Sequence, residues 1–174
     1  TDSQATASYM RYYANGDSNG YVNALKYVVS GSSLESLLES QGLTLSDLTD
    51  SGTSSTTQAA LNALSDSTVA AYAGNYYEYN DAHQLVRVVN QGNGCSTCTG
   101  GLGTTQFQYE QSSTTSTDRN TWQNKQTVYQ PGYDFANPTS SENAMTVTYS
   151  NYLGQTMLQI SCIGGAVASM DYSR

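Results

Sequence analysis

Short runs in which apolar and polar residues alternate follow one another along most of the chain. Because alternation with a period of two places one side of a strand against a core, each run predicts a β-strand. The runs cover residues 9–14, 21–29, 76–79, 85–89, 104–109, 125–130, 145–149, 157–162 and 166–172. Gly, Asn, Asp, Ser and Pro separate them, as is typical of turns. The sequence therefore predicts a mainly β fold, an antiparallel β-hairpin meander.

A helical period interrupts this alternation after the second run. Ser32 and Glu35 have the spacing of a capping box, and Thr44 and Asp47 repeat that helix-start signal. The apolar residues that follow the first signal share one helical face: Leu34, Leu37 and Leu38. We therefore predict a small helical insert, residues 31–73, within the β fold.

Composition indicates a surface made of neutral polar groups. Six Lys and Arg against fourteen Asp and Glu leave a net charge of −8, and charged residues make up 11% of the chain. This balance argues against nucleic acid as a partner, and no apolar run approaches the about 20 residues of a membrane span. Fifteen Tyr against two Phe and one Trp favour half-buried strands. We expect one β-rich domain, 1–174, at an extracellular or cell-surface location.

Two segments carry a common pattern, with a Gly-rich C-x-x-C stretch between them. The residues that define it in the two copies are Tyr77, Tyr79, Leu85, Tyr149, Gly154 and Leu158. The second copy is shifted by one residue. These segments resemble the YD-repeat (RHS-repeat) extracellular proteins of the divergent bacterial type, in which Tyr-x-Tyr-Asp, a Gly-Arg turn and a Leu-led strand form a hairpin. Asn80 stands where that family has Asp, and His83 and Gln84 stand where it has Gly-Arg.

The resemblance implies a ribbon of successive β-hairpins, secreted or displayed at a surface, with those six residues as its repeat core. It covers about residues 72–160, so we treat 74–174 as the YD-repeat-like region. Large members of the family coil into a closed shell, and this chain is too short to close one. It is therefore expected to be a fragment of such a shell or a subunit that grows by assembly.

Three cysteines are the first candidates for chemistry. Cys95 and Cys98 form a C-x-x-C between glycines, and Cys162 is the remaining cysteine. In an oxidising compartment they predict a disulfide, either a Cys95–Cys98 ring or a bridge from one of them to Cys162. The alternative is a zinc site, which would need His83 as its fourth ligand. The disulfide is the main expectation, and we expect no metal and no cofactor.

The other titratable candidates are interpreted as structural. His83 lies at a presumed hairpin turn and is expected to be exposed, and no G-x-S-x-G elbow supplies a nucleophile. Glu35 and Glu39 lie four residues apart on the helical insert, away from its apolar face, which predicts solvated side chains. Asp17 and Asn19 fit a hairpin turn better than a calcium loop. We therefore expect no catalytic residues and no enzymatic activity.

The leading hypothesis is an extracellular structural or assembly protein, a subunit of a filament or surface layer. The last strand lacks the Lys and Pro that usually blunt a sheet edge, and one side of it carries Ala166, Ala168 and Met170 for strand addition to another copy. Self-association is thus the expected partner interaction. The alternative is an adhesin or carbohydrate-binding module that uses exposed tyrosines, with glycans as partners. A hydrolase built from scattered acids is the third hypothesis.

Overall fold

The computed structural model describes residues 7–90 and 103–172, and it confirms the mainly β prediction. Nine strands form an antiparallel sheet in which the strand order is the order along the chain. They are β1 (Ser8–Tyr12), β2 (Leu25–Ser30), β3 (Asn75–Tyr79), β4 (Leu85–Asn90), β5 (Gly103–Gln111), β6 (Asn124–Tyr129), β7 (Ala144–Ser150), β8 (Thr156–Ile163) and β9 (Ala166–Tyr172). Short helices separate β2 from β3: α1 (Ser32–Ser40), α2 (Leu45–Thr49), α3 (Ser54–Ala63) and α4 (Asp66–Ala70). The chain divides into two compact units, Thr1–Gly103 and Thr104–Arg174, whereas the sequence predicts one domain.

The first unit builds its core between these helices and one face of its strands. Tyr27 of β2 pairs with Tyr76 of β3, and Tyr76 pairs with Val89 of β4, so the three side chains line the same face. The helical side chains that join them in one buried cluster are Leu34, Leu37, Leu38, Leu61 and Val69. Burying an aliphatic side chain of this size stabilises the fold by about 1.5–3 kcal/mol. The helices are therefore the second layer of this unit's core.

The two helix-start signals of the sequence have different outcomes. At α2 the prediction is confirmed, because the backbone N–H and the hydroxyl of Thr44 donate to Asp47 Oδ2 at 2.8 and 2.7 Å. At α1 the capping box is wrong: Gly31, with a φ of 59°, is the N-cap, and no side chain caps the helix. Ser32 instead lies in the first turn of α1. The positive φ of Gly31 is needed where the chain turns from β2 into the helix.

The first hairpin is shorter than its sequence pattern suggests. Residues 21–24 belong to the connecting loop rather than to β2, because Asn19 and Asn23 adopt positive φ angles of 68° and 69°. Gly20 packs directly on Tyr13, where an added Cβ would lie 2.4 Å from the ring. Tyr13 is accordingly only 2% exposed. The loop is therefore a packed part of the first unit.

The second unit is a meander of β5 to β9 with two different faces. One face carries the apolar side chains of β7 and β8: Met145, Val147, Tyr149, Leu158, Ile160 and Cys162. The other face of the same strands is polar: Thr146, Thr148, Gln159 and Ser161. Thr127 of β6, opposite Val147, is 4% exposed, and Val147 is 8% exposed. The period-two pattern of the sequence thus produces a two-sided sheet.

The β3–β4 and β7–β8 hairpins share one turn, built on a single asparagine. Asn80 Oδ1 accepts from the backbone N–H groups two and four residues later, at 3.1 and 2.9 Å. Asn151 Oδ1 does the same at 3.0 and 3.1 Å. The register shifts between Glu78 and Tyr79 in one hairpin and between the matching Tyr149 and Ser150 in the other. The two copies therefore align without the one-residue shift expected from the sequence.

Candidate functional site

The predicted repeat-core residues lie in the two hairpins, but the most buried positions are their neighbours. The half-buried members are Tyr77, Tyr79, Leu85, Tyr149 and Leu158. Gly154 occupies the shared turn with a φ of 77°. Tyr76 and Val89 are the buried pair of the first hairpin, 6% and 2% exposed. Because successive strand residues face opposite sides, Tyr76 faces the helices and Tyr77 faces away from them.

A cleft of about 470 Å³ lies in the first unit between the β1–β2 loop and the β3–β4 turn. The side chains that define this tyrosine cleft are Asp17, Asn19, Tyr21, Tyr79, Asp81 and His83. The Tyr21 ring stacks on the His83 imidazole, with centroids 3.9 Å and planes 15° apart, and meets the Tyr79 ring edge-on at 5.3 Å. The backbone N–H of Tyr79 donates to the carbonyl of Asn19 at 2.9 Å and ties the loop to the strand. Aromatic and polar groups thus converge on one concave site.

His83 has an unusual backbone conformation at the edge of this cleft. Its φ is 62°, and Gly154, the equivalent residue of the other turn, has a φ of 77°. A side chain in this left-handed region costs about 1–2 kcal/mol relative to glycine. His83 is exposed, as predicted, whereas Gln84 is half-buried because the Asn80 amide donates to its Oε1 at 2.9 Å. The chain thus keeps an imidazole where glycine would fit the backbone better.

A cluster of paired charges lies beside the same loop. Arg11 Nη1 donates to Asp66 Oδ1 at 2.9 Å, and Lys26 Nζ donates to Asp17 Oδ2 at 2.8 Å and also to Asp66 Oδ2. Burial lowers the pKa of Lys26, but its hydrogen bonds to the two carboxylates outweigh burial and hold the pKa above its usual value. The hydrogen bond from Lys26 in turn lowers the pKa of Asp17. Lys26 is only 7% exposed. The cluster therefore fastens α4 to β1 and β2.

The last hairpin of the second unit exposes a broad apolar surface. All seven residues of β9 are exposed, and β8 is its one neighbour among the described strands. The register places Val167, Met170 and Tyr172 on the same side as Leu158 and Ile160. Those three side chains are 58%, 59% and 61% exposed. We call these five residues the open face.

A β-bulge changes which residues of β9 share a side. The register of β8 and β9 shifts near the hairpin end and leaves Ala168 without a directly opposed residue. Alternation changes phase there, so Ala166 lies on the opposite side of the sheet from Met170, and Val167 takes its place. The predicted grouping of Ala166, Ala168 and Met170 on one side is therefore wrong. A bulge of this kind is set by strand pairing, which period-two alternation does not show.

Of the three cysteines, the structure describes only Cys162. Cys162 is a free cysteine, 8% exposed, on the apolar face of the second unit. The bridge from Cys162 is thus not present, and Cys95 and Cys98 lie outside the described residues. The Cys95–Cys98 disulfide and the zinc alternative stay predictions. Across residues 7–90 and 103–172, no group of three or more His, Cys, Asp or Glu is placed to hold a metal ion.

Two further expectations concern the helices. Glu35 and Glu39 are exposed on α1, which confirms that they are solvated. In the part of the chain that the structure describes, no helix has the length and apolar character to cross a membrane.

The sequence patterns predict neither the tyrosine cleft nor the burial of Lys26. The histidine at position 83, where the repeat pattern has glycine, is the signal that could have indicated the cleft. Lys26 carries no such signal, because its partners Asp17 and Asp66 are distant in sequence. No family model matches this chain, no curated protein matches its sequence, and no solved structure matches its fold.

Proposed function

We propose that the protein is an extracellular structural subunit that self-associates through β9 into a filament or surface layer. The observation that carries this proposal is the exposure of all seven residues of β9. As the last strand of the sheet, β9 presents backbone N–H and C=O groups that another strand can pair with. The strand contains no Lys, Arg or Pro to oppose such pairing. The partner we propose is a second copy of the chain.

The open face supports the same partner by a different interaction. Strand addition pairs backbone groups at the edge, but it leaves side chains above and below the sheet in water. In the first unit the helices cover Tyr76 and Val89, which are 6% and 2% exposed. Val147 and Ile160 hold the equivalent positions in the second hairpin; Val147 is 8% exposed, but Ile160 is only half-buried, and no helix occurs in the described residues of that unit. The open face of a second copy can form a layer over Ile160 and the exposed Val167 and Met170, since sheets pack face to face about 10 Å apart.

The charges near β9 favour contact between two copies. Asp171 is the one charged residue of β9, and it pairs with Gln159 on the side opposite the open face. Two open faces in contact therefore bring no like charges together. The net charge of −8 repels copies at long range, and at physiological ionic strength salt screens that repulsion at separations beyond about 8 Å. We expect association to strengthen as salt concentration rises.

The resemblance to YD-repeat proteins supports a structural function. That family implies ribbons of successive β-hairpins, secreted or displayed at a surface, and the two hairpins of this chain repeat the same asparagine turn. A ribbon of this kind extends by the addition of further strands at its ends. Enzymatic activity is no part of the proposal.

Substituting the open face tests the proposal directly. Val167→Lys with Met170→Lys places two ammonium groups where a second copy would bury apolar side chains, and unpaired buried charges are strongly unfavourable. The matched control is Val22→Lys, at a loop residue of the first unit that is 51% exposed. Light scattering coupled to size-exclusion chromatography and negative-stain electron microscopy should show assemblies for the parent chain and the control. The double variant should be monomeric.

Deletion of residues 166–174 is the second arm of this experiment. It removes β9 with three of the five open-face residues and leaves β8 as the edge strand, so the assemblies of the parent chain should be lost. Filaments that persist unchanged after the deletion rule out β9 as the contact. A parent chain that stays monomeric at high salt and high concentration refutes self-association.

A further inference from the structure

The geometry points to a saccharide-binding site in the tyrosine cleft, a function separate from self-association through β9. The cleft belongs entirely to the first unit, whereas β9 belongs to the second. Its aromatic walls are the Tyr21 and His83 rings, stacked at 3.9 Å, and the Tyr79 ring, 5.3 Å from Tyr21. Its volume of about 470 Å³ falls in the range of small-ligand sites.

The histidine at the turn is the first argument for a ligand. Residue 83 adopts a φ of 62°, and the equivalent residue of the other turn is Gly154, with a φ of 77°. The same asparagine bonds hold both turns, so the turn itself does not require a side chain at this position. Residues in such sparsely populated backbone conformations are held there by the surrounding structure, and they cluster at active sites and ligand-binding clefts. In this structure the His83 side chain stacks on Tyr21 and forms part of the wall of the cleft.

The arrangement of polar groups is the second argument, and it indicates the ligand class. A sugar ring has apolar C–H faces that contact aromatic rings and hydroxyl groups that hydrogen-bond at its edge. The tyrosine cleft offers both, with Asn19 and Asp81 beside the three rings. Asn80 also lines the cleft, but its amide is used within the turn. The exposed carboxylate of Asp81 accepts hydroxyl or ammonium hydrogens and repels anionic groups. The fitting ligand is therefore a neutral or amino sugar rather than a sulfated or uronic acid one.

The cleft is formed before any ligand binds. Asn19 is joined to β3 by the bond from the Tyr79 N–H, and Asp17 accepts from Lys26 Nζ at 2.8 Å and from the Ala14 N–H at 3.0 Å through Oδ2. Gly20 lets the loop lie on the Tyr13 ring. A site held in this way loses little conformational entropy on binding.

Isothermal titration calorimetry with defined oligosaccharides tests whether the tyrosine cleft binds sugars. The probes are chitohexaose, cellohexaose and mannohexaose, with sulfated dextran as the anionic comparison. The proteins are the parent chain, His83→Gly, Tyr21→Ala and Asp81→Asn, and the control is Tyr152→Ala, a 43% exposed residue in the equivalent turn of the second unit. We expect the parent chain and the control to bind at least one hexasaccharide, and each cleft variant to bind it about tenfold more weakly.

The histidine variant separates a ligand site from a structural stack. Replacement of His83 by Gly removes the ring and relieves the strained φ, so the midpoint of thermal unfolding should stay the same or rise while binding is lost. If that variant unfolds, Asp81→Asn decides, because it keeps the shape of the side chain. Absence of binding to all three hexasaccharides, preference for sulfated dextran, or equal binding by all variants overturns the proposal. Running the titrations on Val167→Lys/Met170→Lys as well keeps this outcome independent of self-association.

Discussion

At the residue scale, buried asparagines organise the loops of the second unit. Asn143 is 2% exposed, and its Oδ1 accepts from the backbone N–H of Asp134 at 2.7 Å while its Nδ2 donates to the carbonyl of Asn137 at 2.8 Å. Asn151 is also 2% exposed and donates to the carbonyl of Arg119 at 3.1 Å, besides holding its own turn. A buried backbone group that loses its partner costs about 1–3 kcal/mol. These side chains therefore stabilise the two loops through hydrogen bonds to their backbone groups.

Asn151→Ala should lower the free energy of unfolding by about 2–3 kcal/mol, because it leaves two turn N–H groups and the Arg119 carbonyl unpaired. Asn80→Ala, in the equivalent and half-buried turn, should lower it by about 1 kcal/mol. Urea denaturation followed by circular dichroism measures both. Equal losses for the two variants would contradict the importance of the Arg119 contact.

The Lys26–Asp17 pair predicts a dependence of stability on acid pH. Because the pKa of Asp17 is lowered in the folded protein, the unfolded chain binds more protons once the pH falls below about 5. The contribution of Asp17 is therefore complete above the ordinary carboxyl pKa of about 3.9 and is lost as the pH falls through the lower, folded-state pKa. Urea midpoints should be measured between about pH 6 and pH 2 in steps of about half a pH unit. As the pH falls, they should decrease less steeply for Asp17→Asn than for the parent chain. Parallel curves would show that the pair does not contribute.

At the scale of elements, the helices of the first unit and the last hairpin of the second illustrate two uses of apolar side chains. The face of α1 meets the sheet, and Leu37 and Leu38 are fully buried. Apolar side chains of β9 stay at the surface instead, since Val167 is 58% exposed and Met170 is 59% exposed. Helical spacing and strand alternation identify both sets in the sequence. Whether a set becomes core or surface depends on what packs against it.

Leu37→Ala should lower the free energy of unfolding by about 2–5 kcal/mol, because it leaves a cavity between α1 and the sheet. Leu85→Ala, at a half-buried strand position, should cost about 1 kcal/mol. Leu153→Ala, at a turn residue that is 50% exposed, should change stability by less than about 0.5 kcal/mol. Chemical denaturation of the three variants measures these losses of unfolding free energy, which should decrease in the order Leu37, Leu85, Leu153. A loss at Leu85 as large as that at Leu37 would contradict the difference in burial between the two side chains.

At the scale of the whole molecule, the two units use the same hairpin in different settings. The first packs helices against one face of it, whereas in the second the strand next to it, β9, has all seven residues exposed. The cleft and the open face lie in different units, so binding and assembly can be tested separately.

Thiol labelling and intact mass should distinguish the cysteines. Cys162, 8% exposed, should react with iodoacetamide only after unfolding. Reduction of the native chain should raise its mass by about two hydrogens if Cys95 and Cys98 form the predicted disulfide in an oxidising compartment. An unchanged mass with bound zinc found by elemental analysis would support the metal alternative instead. Rapid labelling of Cys162 in the folded protein would contradict its burial.

The sequence by itself determined the fold class, the positions of most strands and the helical insert, because period-two and helical patterns are local and strong. It also showed a histidine in place of the turn glycine of the repeat pattern. Only the tertiary structure decided that Gly31 rather than Ser32 caps α1, that a bulge at Ala168 brings Val167 beside Met170, and that His83 stacks on Tyr21. These features depend on strand register and on contacts between segments distant in the chain. Local periodicity carries no information about either, and that is why the site required the structure.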